Sequence, residues 1–164
     1  MITGLAVVPR GEWSEAADTI TLGADVRDRR RMAMVSDGGI AFLLDLTGTR
    51  RLGVGDAIRL DDGRLVEVRA RPEPLIEISG RDTDHLLSLA WAIGSHHVAA
   101  EFSGGHIRIR EAEGLHEFLE GLGARIERVE AGFDPEADIR RAQLPPRADG
   151  LPAGFPDGSA DAAP

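Results

Sequence analysis

Across residues 1–70 the apolar positions come in short runs that mostly alternate with polar ones. TITLGADV (Thr19–Val26) and RMAMVS (Arg31–Ser36) keep a period of two, GIAFLLDL (Gly39–Leu46) is a longer apolar run, and RLVEVRA (Arg64–Ala70) alternates again. A period of two belongs to a strand with one buried face. Between the runs lie SDGG, LTGTRRLGVGD and LDDGRL, whose glycines and aspartates supply turn geometry. None of this has the length or the 3.6-residue rhythm of a helix. Short strands at this spacing predict a small all-β domain, either a sandwich or a barrel-like unit.

RARPEP (Arg69–Pro74) interrupts the pattern. Two prolines two residues apart remove backbone donors and push their predecessors into extended geometry, which suits a linker. The domain boundary is therefore placed there, with residues 1–72 in the first domain and 73–142 in the second.

The second domain has another rhythm. LIEIS (Leu75–Ser79) reads as a short strand. In DTDHLLSLAWAIG a cap at Asp82 or Thr83 opens a helix whose apolar face is Leu86, Leu87, Leu89, Ala90 and Ile93, with Gly94 as its stop. HVAAEF and HIRIRE alternate on either side of Ser103-Gly104-Gly105 and predict a hairpin. EAEGLHEFLEGLG gives a second helix with Leu115, Phe118, Leu119 and Leu122 in phase and Gly123 at its end. ARIERVEAGF closes with a strand. The order strand, helix, strand, strand, helix, strand is that of a ferredoxin-like βαββαβ domain, so the fold class is α+β with two domains. From Gln143 the chain holds five of the nine prolines and one aromatic residue, Phe155, and residues 143–164 are expected to form a disordered tail.

Composition narrows the function. A net charge of −9 argues against a general nucleic-acid binder, whose phosphate contacts need a basic face. The one basic cluster of the first domain, RDRRR (Arg27–Arg31), reads as a solvated turn. The absence of cysteine excludes disulfides, thiolate metal sites and thiol catalysis, leaving His, Asp and Glu as metal donors. The opening MITGLAVVPRGEW is too short and polar for a signal peptide, and no apolar run approaches a membrane span. A cytoplasmic protein without membrane association is expected.

The motifs of common catalytic sites are missing: no G-x-S-x-G, no Walker loop, no G-x-G-x-x-G. His116-Glu117 has no second histidine four residues on, so the zincin pattern fails. Ser95-His96 alone offers no orienting group for a hydrolase, and no enzyme is expected. The five histidines, His85, His96, His97, His106 and His116, all fall in the second domain. Neighbours on an extended segment point to opposite sides, so His96 and His97 are not expected to chelate one ion together. One imidazole alone makes a poor site. A twofold axis doubles it without any change in sequence. Imidazole nitrogen suits Ni²⁺, Cu²⁺ and Zn²⁺ alike.

AWAIGSHHVAAEF (Ala90–Phe102), followed by IRIREAEGLHEFLEGLGARIERVEAGFDPE (Ile107–Glu136), resembles the C-terminal half of the UreE family of urease accessory proteins, which carry nickel. Members of that family typically read L-G-N-R/K-H-x-P/A after the first helix, then L-R-I-R or similar, then V-E-x-x-F-x-P-E. The corresponding residues are Ile93-Gly94-Ser95-His96-His97-Val98, Ile107-Arg108-Ile109-Arg110 and Val129-Glu130-Ala131-Gly132-Phe133-Asp134-Pro135-Glu136. The junction GDAIRLDDGRLVEVRARPEPLIEI is also similar, and the likeness spans most of residues 17–142. It implies a peptide-binding-like β domain and a ferredoxin-like domain that dimerises. It also implies delivery of Ni²⁺ for maturation of the urease active site, with an accessory GTPase and the urease apoprotein complex as partners. The histidine that ends G-N-R/K-H, the family's interfacial nickel ligand, corresponds to His97. Ser95 stands where asparagine is usual and His96 where a basic residue is usual, so His96 either keeps the polar role or adds a donor. Arg110-Glu111-Ala112-Glu113 replaces the extra histidines that some members carry after L-R-I-R, and no histidine follows His116. The expected capacity is one ion per dimer, with His85, His106 and His116 as open candidates for a transient ligand.

A carrier must also release its ion. A site split across a dimer axis, with few protein donors, holds metal through exchangeable bonds and weakens as imidazole is protonated. The alternative is a metal-independent, peptide-binding interaction module, which leaves the helix-end histidine unexplained.

Overall fold

The computed structural model describes residues 1–48 and 50–136. Two sheets share the chain, and each has its own apolar core.

The first sheet contains β1 (Ile2–Val8), β2 (Asp18–Leu22), β3 (Arg31–Val35), β4 (Ala41–Asp45), β5 (Ala57–Leu60) and β6 (Leu65–Ala70). Their spatial order is β2-β6-β5-β1-β4-β3, with β1–β4 and β2–β6 parallel and the other pairs antiparallel. The sheet curls until its two edges meet. The Asp37 amide donates to the Thr19 carbonyl at 2.7 Å, and the Asp37 carboxylate accepts from the hydroxyls of Thr19 and Thr21 at 2.7 and 2.8 Å. The result is the barrel-like β unit expected from the alternation, a curled half-barrel filled by Ile20, Phe42, Leu44, Leu52, Ile58, Val66 and Val68.

Two strands of this sheet escaped the sequence reading. β1 lies in the opening segment, considered there only as a leader, and β5 lies between two turn clusters too close together to suggest a strand. Both are central.

The second sheet contains β7 (Pro72–Ser79), β8 (Ala100–Ser103), β9 (His106–Ile109) and β10 (Arg125–Gly132), in the antiparallel order β10-β7-β9-β8. Two helices, α1 (Thr83–Ser95) and α2 (Leu115–Gly121), pack on one face. Chain order and spatial order together give the ferredoxin-like βαββαβ arrangement, around Ile76, Ile78, Leu89, Ile93, Ile107, Ile109 and Leu119.

The expected linker is a strand instead. β7 begins at Pro72 and pairs with β10 along its whole length, which leaves only Arg71 between β6 and β7. β9 reaches β7 only at Ile76–Ile78, so Pro72 and Pro74 sit where β7 has a strand on one side alone, the setting in which a strand tolerates proline. α2 is also shorter than its apolar phase suggests. It starts after Gly114, which holds φ +74° as the N-cap. The expected tail, residues 143–164, lies outside the described residues.

Beyond β10 the chain crosses to the opposite edge of its sheet. The Asp134 amide donates to a Glu101 carboxylate oxygen at 2.7 Å, and the Glu136 amide donates to the Ala100 carbonyl at 2.8 Å. This crossing also ties the two sheets together. Arg27 is completely buried, donating from Nη1 to Asp134 at 2.6 Å and from Nη2 to the Phe133 carbonyl. Arg51 and the Val54 amide reach the same carboxylate, each at 3.1 Å. Burial alone would raise the Asp134 carboxyl, but the Arg27 guanidinium, the Val54 amide and Arg51 outweigh it and hold it below the usual carboxylate range.

Candidate metal centre

The C-terminus of α1 builds the site. At its other end Asp82 caps the helix, accepting from the His85 amide at 2.7 Å. Leu89 and Ile93 fix its inner face on the sheet. The helix runs past Gly94 to Ser95, and His96 is the C-cap. The His97 amide then donates to the Gly94 carbonyl at 3.0 Å and the Val98 amide to the Ile93 carbonyl at 3.4 Å. This is a Schellman closure, with Val98 packed on the core that holds Ile93.

In that closure the residue after the cap must turn left-handed, and glycine usually fills it. Here it is His97, at φ +58°, the only non-glycine residue with positive φ among the described residues. A side chain in that region costs roughly 1–2 kcal/mol. Gly94, the expected stop, is an ordinary helical residue three positions too early. The strained position belongs to the candidate ligand, the kind of place where backbone strain accompanies function.

His96 and His97 therefore stand at a helix terminus and not on a strand, and their rings are both exposed. His96 sets its ring edge-on against Phe118 of α2, with centroids 4.8 Å apart and planes at 69°. Neither imidazole hydrogen-bonds to another described residue, so the donor nitrogens of both face solvent. Both lie at the negative end of the helix dipole, where a cation is favoured.

The other three histidines are engaged. His85 is buried: its Nδ1 accepts from the Arg81 amide at 3.1 Å, so Nε2 carries the proton it gives to the Leu122 carbonyl at 2.9 Å. It staples α1 to the end of α2 and has no lone pair to offer. His106 Nδ1 is 3.0 Å from the Ser79 hydroxyl, on the sheet face away from the helices. His116 pairs through Nε2 with Glu120 at 3.3 Å, while its Nδ1 is buried without a partner among the described residues. Among the described residues no group of three or more His, Asp or Glu gathers to hold an ion. One chain supplies an exposed imidazole pair at a helix end, and no described residue around it completes a coordination shell.

The same helix also exposes two large apolar side chains. Leu87 and Trp91, one turn apart on α1, are 64% and 81% exposed. The sequence placed Leu87 in the buried face, but the helix turns it outward with Trp91.

Family models for the N-terminal and C-terminal domains of the UreE urease accessory protein match residues 3–71 and 73–147. The chain belongs to the UreE family. The UreE of Chelativorans sp. (strain BNC1) is 50% identical over 131 residues, which cover 80% of this chain and 83% of that protein. The UreE of Beijerinckia indica is 44% identical over 137 residues, covering 83% and 79% of the two chains. The UreE of Rhodopseudomonas palustris (strain HaA2) is longer: 47% identity extends over 83% of this chain but 64% of that one. These UreE relatives are named as accessory proteins of urease and not as the enzyme.

Proposed function

We propose that this UreE-family chain is a nickel metallochaperone for urease maturation, working as a homodimer in the cytoplasm with His97 of each protomer as the principal ligand. His97 carries the proposal: an exposed imidazole, with no hydrogen bond to another described residue, occupies a position whose backbone favours glycine. The Leu87–Trp91 surface supports the dimer, because a twofold contact through it covers exposed apolar area on the helix that ends at the ligand. His96, held by Phe118, is the adjacent second donor. With one or two imidazoles per chain, Ni²⁺ keeps open positions and can leave for a partner with better donors; Zn²⁺ and Cu²⁺ can occupy the same seat in vitro. The partners are an accessory GTPase and the urease apoprotein complex. No helix of the described residues is long and apolar enough to cross a membrane.

Calorimetric titration with Ni²⁺ tests the proposal. Half an ion bound per chain, abolished by His97→Ala and weakened by His96→Ala, is the expected result. No binding, or binding unaffected by His97→Ala, overturns it. Gel filtration with and without Ni²⁺ separates it from a metal-independent interaction module, which would show no metal-linked association.

A further inference from the structure

The RDRRR turn does not behave as one unit. Arg27 is buried against Asp134, while Arg29, Arg30 and Arg31 remain exposed. The backbone around them pairs with the segment after β4: Leu52 donates to the Arg27 carbonyl, Leu46 donates to the Arg30 carbonyl, and Asp28 bridges Arg51. One step along from that bridge on each side stand Arg29 and the exposed Arg50. Among the described residues neither of these two makes an ion pair. Arg31 reaches Asp45 only at 3.9 Å, and Arg30 uses its Nε on the Leu46 carbonyl. Four exposed guanidiniums, those of Arg29, Arg30, Arg31 and Arg50, thus share one end of the half-barrel with the carboxylates of Asp28 and Asp45, in a chain of net charge −9.

A slot of mixed polar and apolar lining opens at Arg50. β1 pairs with β4 only as far as Gly4↔Leu44, and beyond that point the two strands part. A hollow of about 280 Å³ lies in the gap, lined by Leu5, Val7, Leu46 and Arg50 among others. Leu5 is 51% exposed there.

We propose that this slot, with Arg50 in its lining and Arg30 bonded to the carbonyl of its Leu46, is a docking site for an acidic protein segment carrying an apolar side chain. Carboxylates match the planar fork of arginine, and the sequence has arginine but no lysine. The slot takes the apolar anchor. A polyanion such as RNA fits less well, because it would extend past this small patch over a surface of its own sign. The site lies on the opposite sheet from His97, and its test needs no metal.

The probe is a fluorescein-labelled peptide with one leucine flanked on each side by three glutamates, followed by fluorescence anisotropy. The wild-type chain is expected to bind it, with affinity falling as salt is raised. The combined Arg29→Glu, Arg31→Glu and Arg50→Glu variant should lose at least about tenfold, and replacing the peptide's leucine by serine should lose several-fold. Arg50→Ala, a single loop change, should show a smaller loss with an unaltered melting curve, which keeps the test valid if the triple variant misfolds. No wild-type binding overturns the proposal. So does equal binding by Arg50→Ala and the triple variant, or an equal loss in Arg125→Glu/Arg128→Glu on the other sheet. Tighter binding of a single-stranded RNA of the same charge overturns it too.

Discussion

His97 is under two opposed demands. Its backbone sits where the helix closure favours glycine, and its ring is in the position proposed to hold an ion. His97→Gly should therefore stabilise the fold by about 1 kcal/mol while abolishing Ni²⁺ binding, a pairing that ordinary loss-of-ligand variants do not give. Urea unfolding and calorimetry on the same variant read the two effects. His85 is the contrasting case. Removing its ring leaves the Arg81 amide and the Leu122 carbonyl without partners, and His85→Ala should cost about 2–3 kcal/mol with little change in metal affinity. From the residues alone both were only histidines. What separated them was whether the ring nitrogens were already spent, and the partners that spend them on His85 are backbone groups at Arg81 and Leu122, which sequence does not reveal.

At the scale of elements, periodicity located what was amphipathic and missed what was not. The alternation of β2, β6 and β9 and the apolar phase of α1 survive in the structure because one face of each meets a core. β5 is only Ala57–Leu60, with Arg59 its one exposed position, too short for alternation to register. Pro72 and Pro74 signalled a break for sound local reasons, yet β10 pairs with β7 past both. The helix was recognised but its end was misplaced, since Gly94 is a glycine that the left-handed turn does not use. α1 itself makes a separable prediction. Trp91→Asp should weaken dimerisation at least tenfold in sedimentation experiments while leaving the melting temperature of the monomer nearly unchanged, because the side chain is 81% exposed and packs on nothing in its own protomer's core.

In the whole molecule the two sheets are joined by a buried charge. Asp134→Ala leaves the Arg27 guanidinium buried without its counter-ion and should cost about 3 kcal/mol, visible in thermal unfolding. Acid should act through the same carboxylate. Its pKa is lower in the folded chain than in the unfolded one, so its contribution is complete above the ordinary carboxylate range and disappears as pH falls through the lowered value. Stability should thus drop below about pH 4, and the drop should be shallower in Asp134→Asn, as read from melting temperature against pH. Arg27 and Asp134 stand 107 residues apart in sequence, and this separation bears on synthesis. A ribosome delivers the half-barrel long before its counter-charge, so the nascent first half leaves the exit tunnel holding a cation that nothing yet neutralises. Packing of its final side chains must wait until Asp134 has been made.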